Sequence, residues 1–289
     1  MANAVQGRID NVSDTARWVA VYRAMETDRP DAHFRDPYAR KLAGEHGTAI
    51  VDTMPRGRQM AWAMIVRTQV FDEVILDKVR HHGVDCVINL AAGLDARPWR
   101  LDLPASLRWV DVDFPPMIEY KTGVLAGEKT KCRYETIGAD LSDDGARKDA
   151  LARAAGNAQN VLVVAEGLLI YLNETQVTAL AKDLAALPAA RWWVIDLASP
   201  RLLMWMQRSW AGKMETGTAR FQFAPAAGSA FFEPAGWKEE RFYSSGEEAK
   251  RLKRQMKGMW FWNFIAKLYP KRVREQFRRF SGYVVLARG

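Results

Sequence analysis

The sequence has 289 residues, of which 48% are hydrophobic, so it can bury a substantial core as one large domain or two small ones. Its net charge of +8 favours anionic partners, such as an acidic small molecule, a nucleic acid or an anionic membrane surface. Two cysteines outside any CxxC pattern exclude a disulfide framework, and the absence of about 18 consecutive apolar residues excludes a transmembrane helix.

The first predicted region, residues 1–82, is helical. The stretch "MANAVQGRIDNVSDTARW" has no apolar core of signal-peptide length, so we expect a reduced, cytoplasmic protein. Ser13 and Asp14 give a helix start signal ahead of apolar positions at helical spacing. A long amphipathic helix is predicted at "RQMAWAMIVRTQVFDEVILDKVRHHG", with Gly83 at its C-cap. We expect these helices to form a cap.

Residues 83–200 alternate between short strands and helices. The strands are predicted at "DCVINL", "LRWVDV", "RYETIG", "NVLVVAE" and "RWWVIDLA", and the helices at about 97–101, 115–127, 143–155 and 173–187. Continuous apolar strands that alternate with helices indicate a parallel sheet covered on both faces. The predicted fold class is therefore α/β, with a doubly wound core that binds the cofactor.

The alternation stops after Pro200. Residues 201–235 are rich in Trp, Phe, Met, Gly and Pro and are predicted to be an irregular lid, and "WKEERFY" is a candidate strand that completes a segment 201–245. A basic, aromatic helical region follows at about 246–280, and "GYVVLAR" is a strand expected to pair antiparallel at the sheet edge, so that 246–289 is the last segment. We expect all of 1–289 to be one domain.

The turn after the first strand decides between cofactors. In a doubly wound sheet, ligands bind at the carboxyl ends of the strands, and a dinucleotide requires G-x-G-x-x-G there. The turn Ala91–Ala96 has one glycine, and the bulky Trp99 stands where a phosphate-binding helix would open. Pyrophosphate binding is therefore disfavoured. S-adenosylmethionine carries an amino-acid carboxylate instead of a pyrophosphate, so it places fewer requirements on the residues of this turn.

Acidic residues follow the next three strands. Asp111 and Asp113 end the second strand, where a carboxylate accepts from ribose hydroxyls. Asp140 follows the third strand and is suited to the adenine amino group. Glu166 and Tyr171 in "AEGLLIYL" follow the fourth strand and are expected at the rim of the cleft.

These motifs carry a resemblance to a known family. The stretches "VSDTARWVAVYRAMETDRPDAHFRDPYARKLAG", "VRTQVFD", "NLAAGLDARPWRL", "VDVDFPPMIEYK", "GADL" and "AEGLLIYL", in this order, resemble the leucine carboxyl methyltransferase-type family of class I S-adenosylmethionine-dependent methyltransferases. That family includes protein phosphatase and bacterial polyketide carboxyl methyltransferases. The similarity covers about residues 10–200. It implies a mostly parallel, seven-stranded Rossmann-like sheet with an antiparallel last strand.

The resemblance also implies a set of cofactor contacts. Arg67 would bind the cofactor carboxylate, Asp113 the ribose, Asp140 and Leu141 the adenine, and Glu166 would close the site. The turn made of Ala91, Ala92 and Gly93 would line the methionine part. Ala91 replaces the usual first glycine of the family, and an alanine is strained if this position has a positive φ.

Each of these assignments has an alternative. Arg67 could instead form a structural ion pair with Asp72 or another helix acid, and Asp111 could replace Asp113 at the ribose. Glu166 is a cofactor contact, a general base or a solvated acid at a strand end. Tyr171 either directs its hydroxyl at the substrate or is a buried tyrosine with a local partner.

The N-terminal helices cover the substrate pocket in the resembling family. Arg17 and Tyr22 on the first helix are therefore candidate substrate contacts, and the alternative for Arg17 is an exposed position on an amphipathic helix. The four histidines lack metal-ligand spacing, so we predict no metal.

The segment 246–280 interleaves basic residues with the aromatic run Trp260, Phe261, Trp262 and Phe264. A basic amphipathic helix can lie on an anionic membrane, but a helix packed on the sheet through its aromatic residues is the simpler interpretation. No base-reading motif for nucleic acid is present.

The predicted activity is O-methylation, and the carboxylate of a small molecule is the expected acceptor because a carboxylate is already ionised at neutral pH and needs no base. A phenol or hydroxyl acceptor is the alternative. Two other functional classes are alternatives to O-methylation. One is a peripheral membrane-binding or scaffold protein with the same fold, and the other is a nicotinamide-dependent oxidoreductase.

Overall fold

A computed structural model describes residues 12–54, 57–210, 220–256, 258 and 269–289. Seven strands form one sheet in the order β3-β2-β1-β4-β5-β7-β6. Their bounds are β1 Cys86–Leu90, β2 Arg108–Asp113, β3 Arg133–Gly138, β4 Val161–Ala165, β5 Ala190–Ala198, β6 Trp237–Ser244 and β7 Ser281–Arg288. Strands β1 to β5 are parallel, and β7 is antiparallel to both β5 and β6. The predicted α/β class, parallel core and antiparallel last strand are confirmed.

The position of β7 differs from the prediction. This strand lies between β5 and β6 rather than at the sheet edge, and β6 forms the edge. The five residues 282–286 are all buried, whereas most of β6 is at least partly exposed. An apolar strand is favoured where other elements pack on both of its faces and a neighbouring strand pairs with each of its edges. The apolar β7 therefore occupies the interior position, and the charged "WKEERFY" strand forms the edge.

Helices cover both faces of the sheet. Their bounds are α1 Val12–Thr27, α2 Ala39–Thr53, α3 Ala61–His81, α4 Arg97–Arg100, α5 Pro115–Val124, α6 Asp144–Ala155, α7 Glu174–Ala186, α8 Pro200–Trp210, α9 Ser245–Arg251 and α10 Lys271–Arg278, with 3-10 turns at Gly57–Met60, Leu169–Tyr171 and Gly228–Ala235. One core layer joins α3 and α9 to the sheet, and the opposite layer joins α6, α7 and the 228–235 turn.

Local sequence signals explain several helix ends. Asn173 and Gln176 form a capping box at the start of α7, and Asp143 accepts from Ala146 at the start of α6. Gly83 follows the C-cap residue of α3 with a φ of +68°, as its predicted capping role requires.

The C-terminal third is more regular than predicted. Residues 201–235 were expected to be an irregular lid, but 200–210 form α8, a helix with apolar and basic faces. Of the basic region 246–280, the structure describes α9 and α10, and the predicted aromatic run at 260–264 lies outside the described residues.

Candidate active site

A cavity of about 920 Å³ opens at the carboxyl ends of the parallel strands. Residues that follow β1, β2, β3 and β4 line it, together with residues at the end of β5. Helix α1 closes it from above, where Arg23 donates to the carbonyl of Leu94 at 2.5 Å. This is the expected ligand position in an open α/β sheet, since the strand ends converge there.

The turn after β1 is held by the acid at the end of β2. The backbone N–H of Gly93 donates to Oδ2 of Asp113 at 2.6 Å, and the N–H of Phe114 donates to Oδ1 at 2.7 Å. Burial raises the pKa of Asp113 above its ordinary value, although these two hydrogen bonds act in the opposite direction. Gly93 has a φ of +50°, and Ala91 has a φ of +48°. The suspected strain at Ala91 is therefore present.

Asp111 and Asp113 have different environments. Asp111 is 1% exposed and accepts from Lys121 at 2.6 Å and from the hydroxyl of Tyr134 at 2.7 Å. Asp111 does not line the cavity, whereas Asp113 does. Of the two acids, only Asp113 is therefore available to a ligand, and Asp111 belongs to a buried ion pair between β2 and α5.

Arg67 and Glu166 are joined by an ion pair at the floor of the cavity. Nε of Arg67 donates to Oε1 of Glu166 at 3.0 Å, and Nη1 donates to Asp196 at 3.2 Å. Glu166 also pairs with Arg97 at 2.8 Å. The suggested alternative of an ion pair between Arg67 and Asp72 is wrong, because Asp72 is bonded instead to Arg97 and Arg100.

These ion pairs set the charge of Glu166. Burial alone raises the pKa of this carboxyl, but the guanidinium groups of Arg97 and Arg67 outweigh it and hold the pKa below its ordinary value. Glu166 is therefore ionised at neutral pH, and its proton affinity is too low for an effective general base.

Asp140, Leu141 and Tyr171 also line the cavity. Asp140 is exposed, and its Oδ1 accepts from both the backbone and the hydroxyl of Ser142. The ring of Tyr171 lies 5.5 Å from that of Phe221, and burial raises the pKa of its hydroxyl, which interacts with Thr15. Tyr171 is thus a neutral phenol that can donate a hydrogen bond into the cavity.

Two predicted substrate residues do not reach the cavity. Arg17 donates to the hydroxyl of Tyr120 at 2.7 Å and stacks over that ring. Tyr22 is fully buried and donates to the carbonyl of Gly57 at 2.7 Å. The structure therefore does not bring Arg17 and Tyr22 to the cavity, and their contact with the substrate stays a prediction. Residues on the neighbouring positions of α1, including Ala16 and Val19, line the cavity instead.

Several site residues were not anticipated from the sequence. Asp95 lies in the turn after β1 and Arg97 begins α4, and their side chains pair at 2.7 Å. Asp196 is in β5, where it accepts the backbone N–H of Gly167 at 2.6 Å. An acid near the end of an otherwise apolar strand was the available signal for Asp196.

The charged part of the cavity wall is acidic. Among the described residues that line it, five are carboxylates (Asp95, Asp113, Asp140, Glu166, Asp196) and four are arginines (Arg23, Arg67, Arg97, Arg100). Three of these arginines also bond to carboxylates behind the wall, at Asp36 and Asp72. A cationic ligand is therefore favoured over a polyanion such as a pyrophosphate.

The rest of the cavity is apolar. Its large apolar lining residues come from α1, α3, α8, the 3-10 turns 57–60 and 169–171, and the segment that begins at 220: Trp18, Met60, Trp62, Met64, Ile170, Leu202, Trp205, Met206, Phe221 and Phe223. In the part of the chain that the structure describes, no cluster of three or more His, Cys, Asp or Glu side chains is arranged for a metal.

The leucine carboxyl methyltransferase family profile matches residues 16–185. A Mycobacterium marinum protein, provisionally named an S-adenosyl-L-methionine-dependent methyltransferase, is 36% identical over 195 residues, which are 62% of this chain and 64% of that protein. A Mycolicibacterium smegmatis protein with a similar name is 37% identical over the same length and coverage. The matched region thus spans 64% of the length of these relatives, which is less than two thirds.

Solved structures show the same fold at low sequence identity. A DUF574-family protein from Streptomyces avermitilis has a TM-score of 0.56 at 13% identity and covers 93% of this chain and 97% of its own. A Thermobifida fusca protein, provisionally named a methyltransferase, has a TM-score of 0.55 at 13% identity. The match covers 93% of this chain and 94% of that protein. Since the family profile covers more than half of the sequence, the chain belongs to the leucine carboxyl methyltransferase family of S-adenosylmethionine-dependent methyltransferases.

Proposed function

We propose that this protein uses S-adenosylmethionine to methylate an oxygen of an apolar small molecule, and that this oxygen belongs to a carboxylate. The observation that carries the proposal is a cavity whose acidic end meets an apolar end in which no described residue is suited to be a base. Family membership supports the methyl-transfer part of the proposal.

The residues at the acidic end fit S-adenosylmethionine. Nη2 of Arg67 bonds to no described residue, so it is available to the cofactor carboxylate although Nε and Nη1 are engaged. A carboxylate can accept about four hydrogen bonds, so Asp113 can bind ribose hydroxyls while it holds the turn. Asp140 and Leu141 line the cavity and would frame the adenine, and the acidic wall suits the sulfonium and ammonium charges.

The choice of a carboxylate acceptor follows from the ionisable groups. Among the described lining residues there is no histidine, lysine or cysteine. The pKa of Glu166 is lowered and that of Tyr171 is raised, so neither removes a proton effectively near neutral pH. A carboxylate acceptor needs no deprotonation, whereas a phenol or alcohol does.

The chain contributes position and desolvation to the reaction. Bound S-adenosylmethionine would supply a methyl group on a sulfonium, which passes in line to an acceptor oxygen as the carbon–sulfur bond breaks and its electron pair stays on sulfur. Tyr171 can donate a hydrogen bond to the acceptor carboxylate and orient it. The apolar lining, including Trp62 and Phe221, excludes water from the reacting groups.

Cofactor binding is tested by thermal unfolding with S-adenosylhomocysteine or NADH. A ligand at about 100 times its dissociation constant adds roughly 2.7 kcal/mol of stability. We expect a shift with S-adenosylhomocysteine that Asp113→Asn diminishes and that the exposed control Asp102→Asn leaves intact. A shift with NADH alone contradicts the cofactor assignment.

The acceptor is tested with a panel of apolar acids and matched phenols and methyl-labelled S-adenosylmethionine. Methyl esters release methanol in alkali, and aryl methyl ethers do not. We expect alkali-labile label from the acids, with a rate that is flat between about pH 6 and 9 because the acceptor is ionised throughout. Transfer to phenols alone, with a rate that rises with pH, contradicts the carboxylate assignment.

A further inference from the structure

Exposed apolar side chains surround the mouth of the cavity. Seven large hydrophobic side chains of the described residues are more than one-third exposed, and six of them lie on α8, after α9, and on or beside α10: Met204, Trp205, Met256, Tyr269, Phe277 and Phe280. Four of these six also line the cavity (Trp205, Met256, Phe277, Phe280). The cavity therefore opens through an exposed aromatic rim, which we call the mouth surface.

Pairing of the sheet brings the two helices of the mouth surface together. Ala198, at the end of β5, pairs with Ser281, at the start of β7. Helix α8 begins just after the first of these residues, and α10 ends just before the second. The backbone N–H of Ser199 also donates to the carbonyl of Phe280 at 2.9 Å. The two helices thus leave the sheet from one point, beside the cavity.

The same two helices carry an excess of positive charge. Arg201 and Arg208 on α8, and Lys271, Arg272 and Arg274 on α10, are exposed and form no ion pair with a described residue. Helix α8 has no acidic residue, and the single acid of α10, Glu275, is paired with Arg278 and Arg279. Exposed aromatic rings beside unpaired cations are the pattern of surfaces that lie on anionic bilayers.

We propose that the mouth surface docks on an anionic lipid membrane, with Trp205 and Phe277 entering the headgroup boundary and the cations of α10 contacting lipid headgroups. No helix among the described residues is long and apolar enough to cross a membrane, so the contact is peripheral. An extended anionic bilayer matches both the positive charge and the apolar character of the mouth surface. Docking there would let an apolar ligand enter the cavity directly from the lipid.

Flotation with vesicles tests the proposal. The full chain is mixed with phosphatidylcholine vesicles or with mixtures of phosphatidylcholine and phosphatidylglycerol, without any cofactor. We expect binding to the anionic vesicles only, weakened by added salt. Each cation near an anionic surface contributes about fivefold to binding, so Arg272→Glu with Arg274→Glu should lower it by at least about 30-fold.

A matched pair controls for overall charge. Arg191→Glu with Lys238→Glu changes the net charge equally, but these exposed residues lie at the opposite end of the sheet, next to the Trp192–Ala287 pair. The control should bind almost as well as the unmodified protein. Equal losses in the two variants would mean that binding follows net charge and not the mouth surface, which overturns the proposal.

A second pair tests the apolar contribution. Trp205→Ser with Phe277→Ser should reduce vesicle binding by about tenfold or more, and urea unfolding of the variant checks that it is folded. Unchanged binding in this variant, or no flotation of the unmodified protein, overturns the proposal. Because flotation uses no cofactor, failure of docking is distinguishable from failure of the proposed methyl transfer.

Discussion

Replacement of Ala91 by glycine should relieve a backbone strain inside the cofactor turn. Ala91 has a φ of +48°, in the left-handed region that costs a residue with a Cβ about 1–2 kcal/mol. Glycine adopts this conformation freely, but it also gives the unfolded chain about 0.4–1 kcal/mol more conformational entropy. The methyl group of Ala91 is only partly buried, so its removal costs less than the roughly 0.8 kcal/mol of a fully buried one. We therefore expect Ala91→Gly to be close to neutral or stabilising by about 0.5 kcal/mol.

Ala92 is the matched control in the next position. It is 7% exposed and has no positive φ, so Ala92→Gly loses a buried methyl group and gains unfolded-state entropy without any relief of strain. We expect a destabilisation of about 1–2 kcal/mol.

Urea unfolding at a single pH measures both variants. The two neighbouring substitutions should differ by about 2 kcal/mol in their free energies of unfolding, with similar m-values. Equal destabilisation by both would refute the assignment of strain to Ala91. The same pair measured with S-adenosylhomocysteine reports whether the relief of strain also changes ligand affinity.

Four other substitutions test the charged residues in and behind the cavity wall. Lys121→Met should destabilise the protein by about 3–5 kcal/mol in urea, because it leaves the 1%-exposed Asp111 without its cation, and Asp111→Asn should restore part of this loss. Glu166→Gln should cost about 3 kcal/mol near pH 7. Since the folded pKa of Glu166 lies below its ordinary value of 4.5, its stabilisation is present above that pH and is lost as the pH falls through the lowered value. Unfolding of Glu166→Gln should therefore depend less on pH below about 5, and a parallel dependence would argue against the ion pairs. Asp113→Asn should weaken S-adenosylhomocysteine binding about tenfold or more by calorimetry, and unchanged affinity would exclude Asp113 from the ligand site.

The backbone of the site was predictable because strand ends are local features. Asp113, Asp140 and Glu166 each follow a predicted strand, and the ends of parallel strands meet at one edge of the sheet whatever the details of packing. Right-handed crossovers leave little freedom in that arrangement. The strain at Ala91 was identified in another way, from the resemblance, because this residue replaces the usual first glycine of the family.

The directions of side chains on the helices were not predictable from the sequence. Arg17 and Tyr22 lie on the predicted cap helix, but the packing of α1 against α2 and α5 turns them away from the cavity. Helical periodicity shows which residues share a face, not which face meets the ligand. The order of β6 and β7 was missed for a similar reason, since each strand pattern is compatible with an edge when considered alone.

The sequence by itself determined the α/β class, the alternation of strands and helices in the parallel core and the acids at the strand ends, because these depend on local periodicity and on turn composition. Only the tertiary structure decided which charges meet. Arg67 contacts Glu166 and Asp196, which lie 99 and 129 positions away in the chain, and Asp72 contacts Arg97 instead of Arg67. Sequence patterns carry little information about such pairs, since they form when α3 packs on the sheet and brings distant side chains into the same buried space.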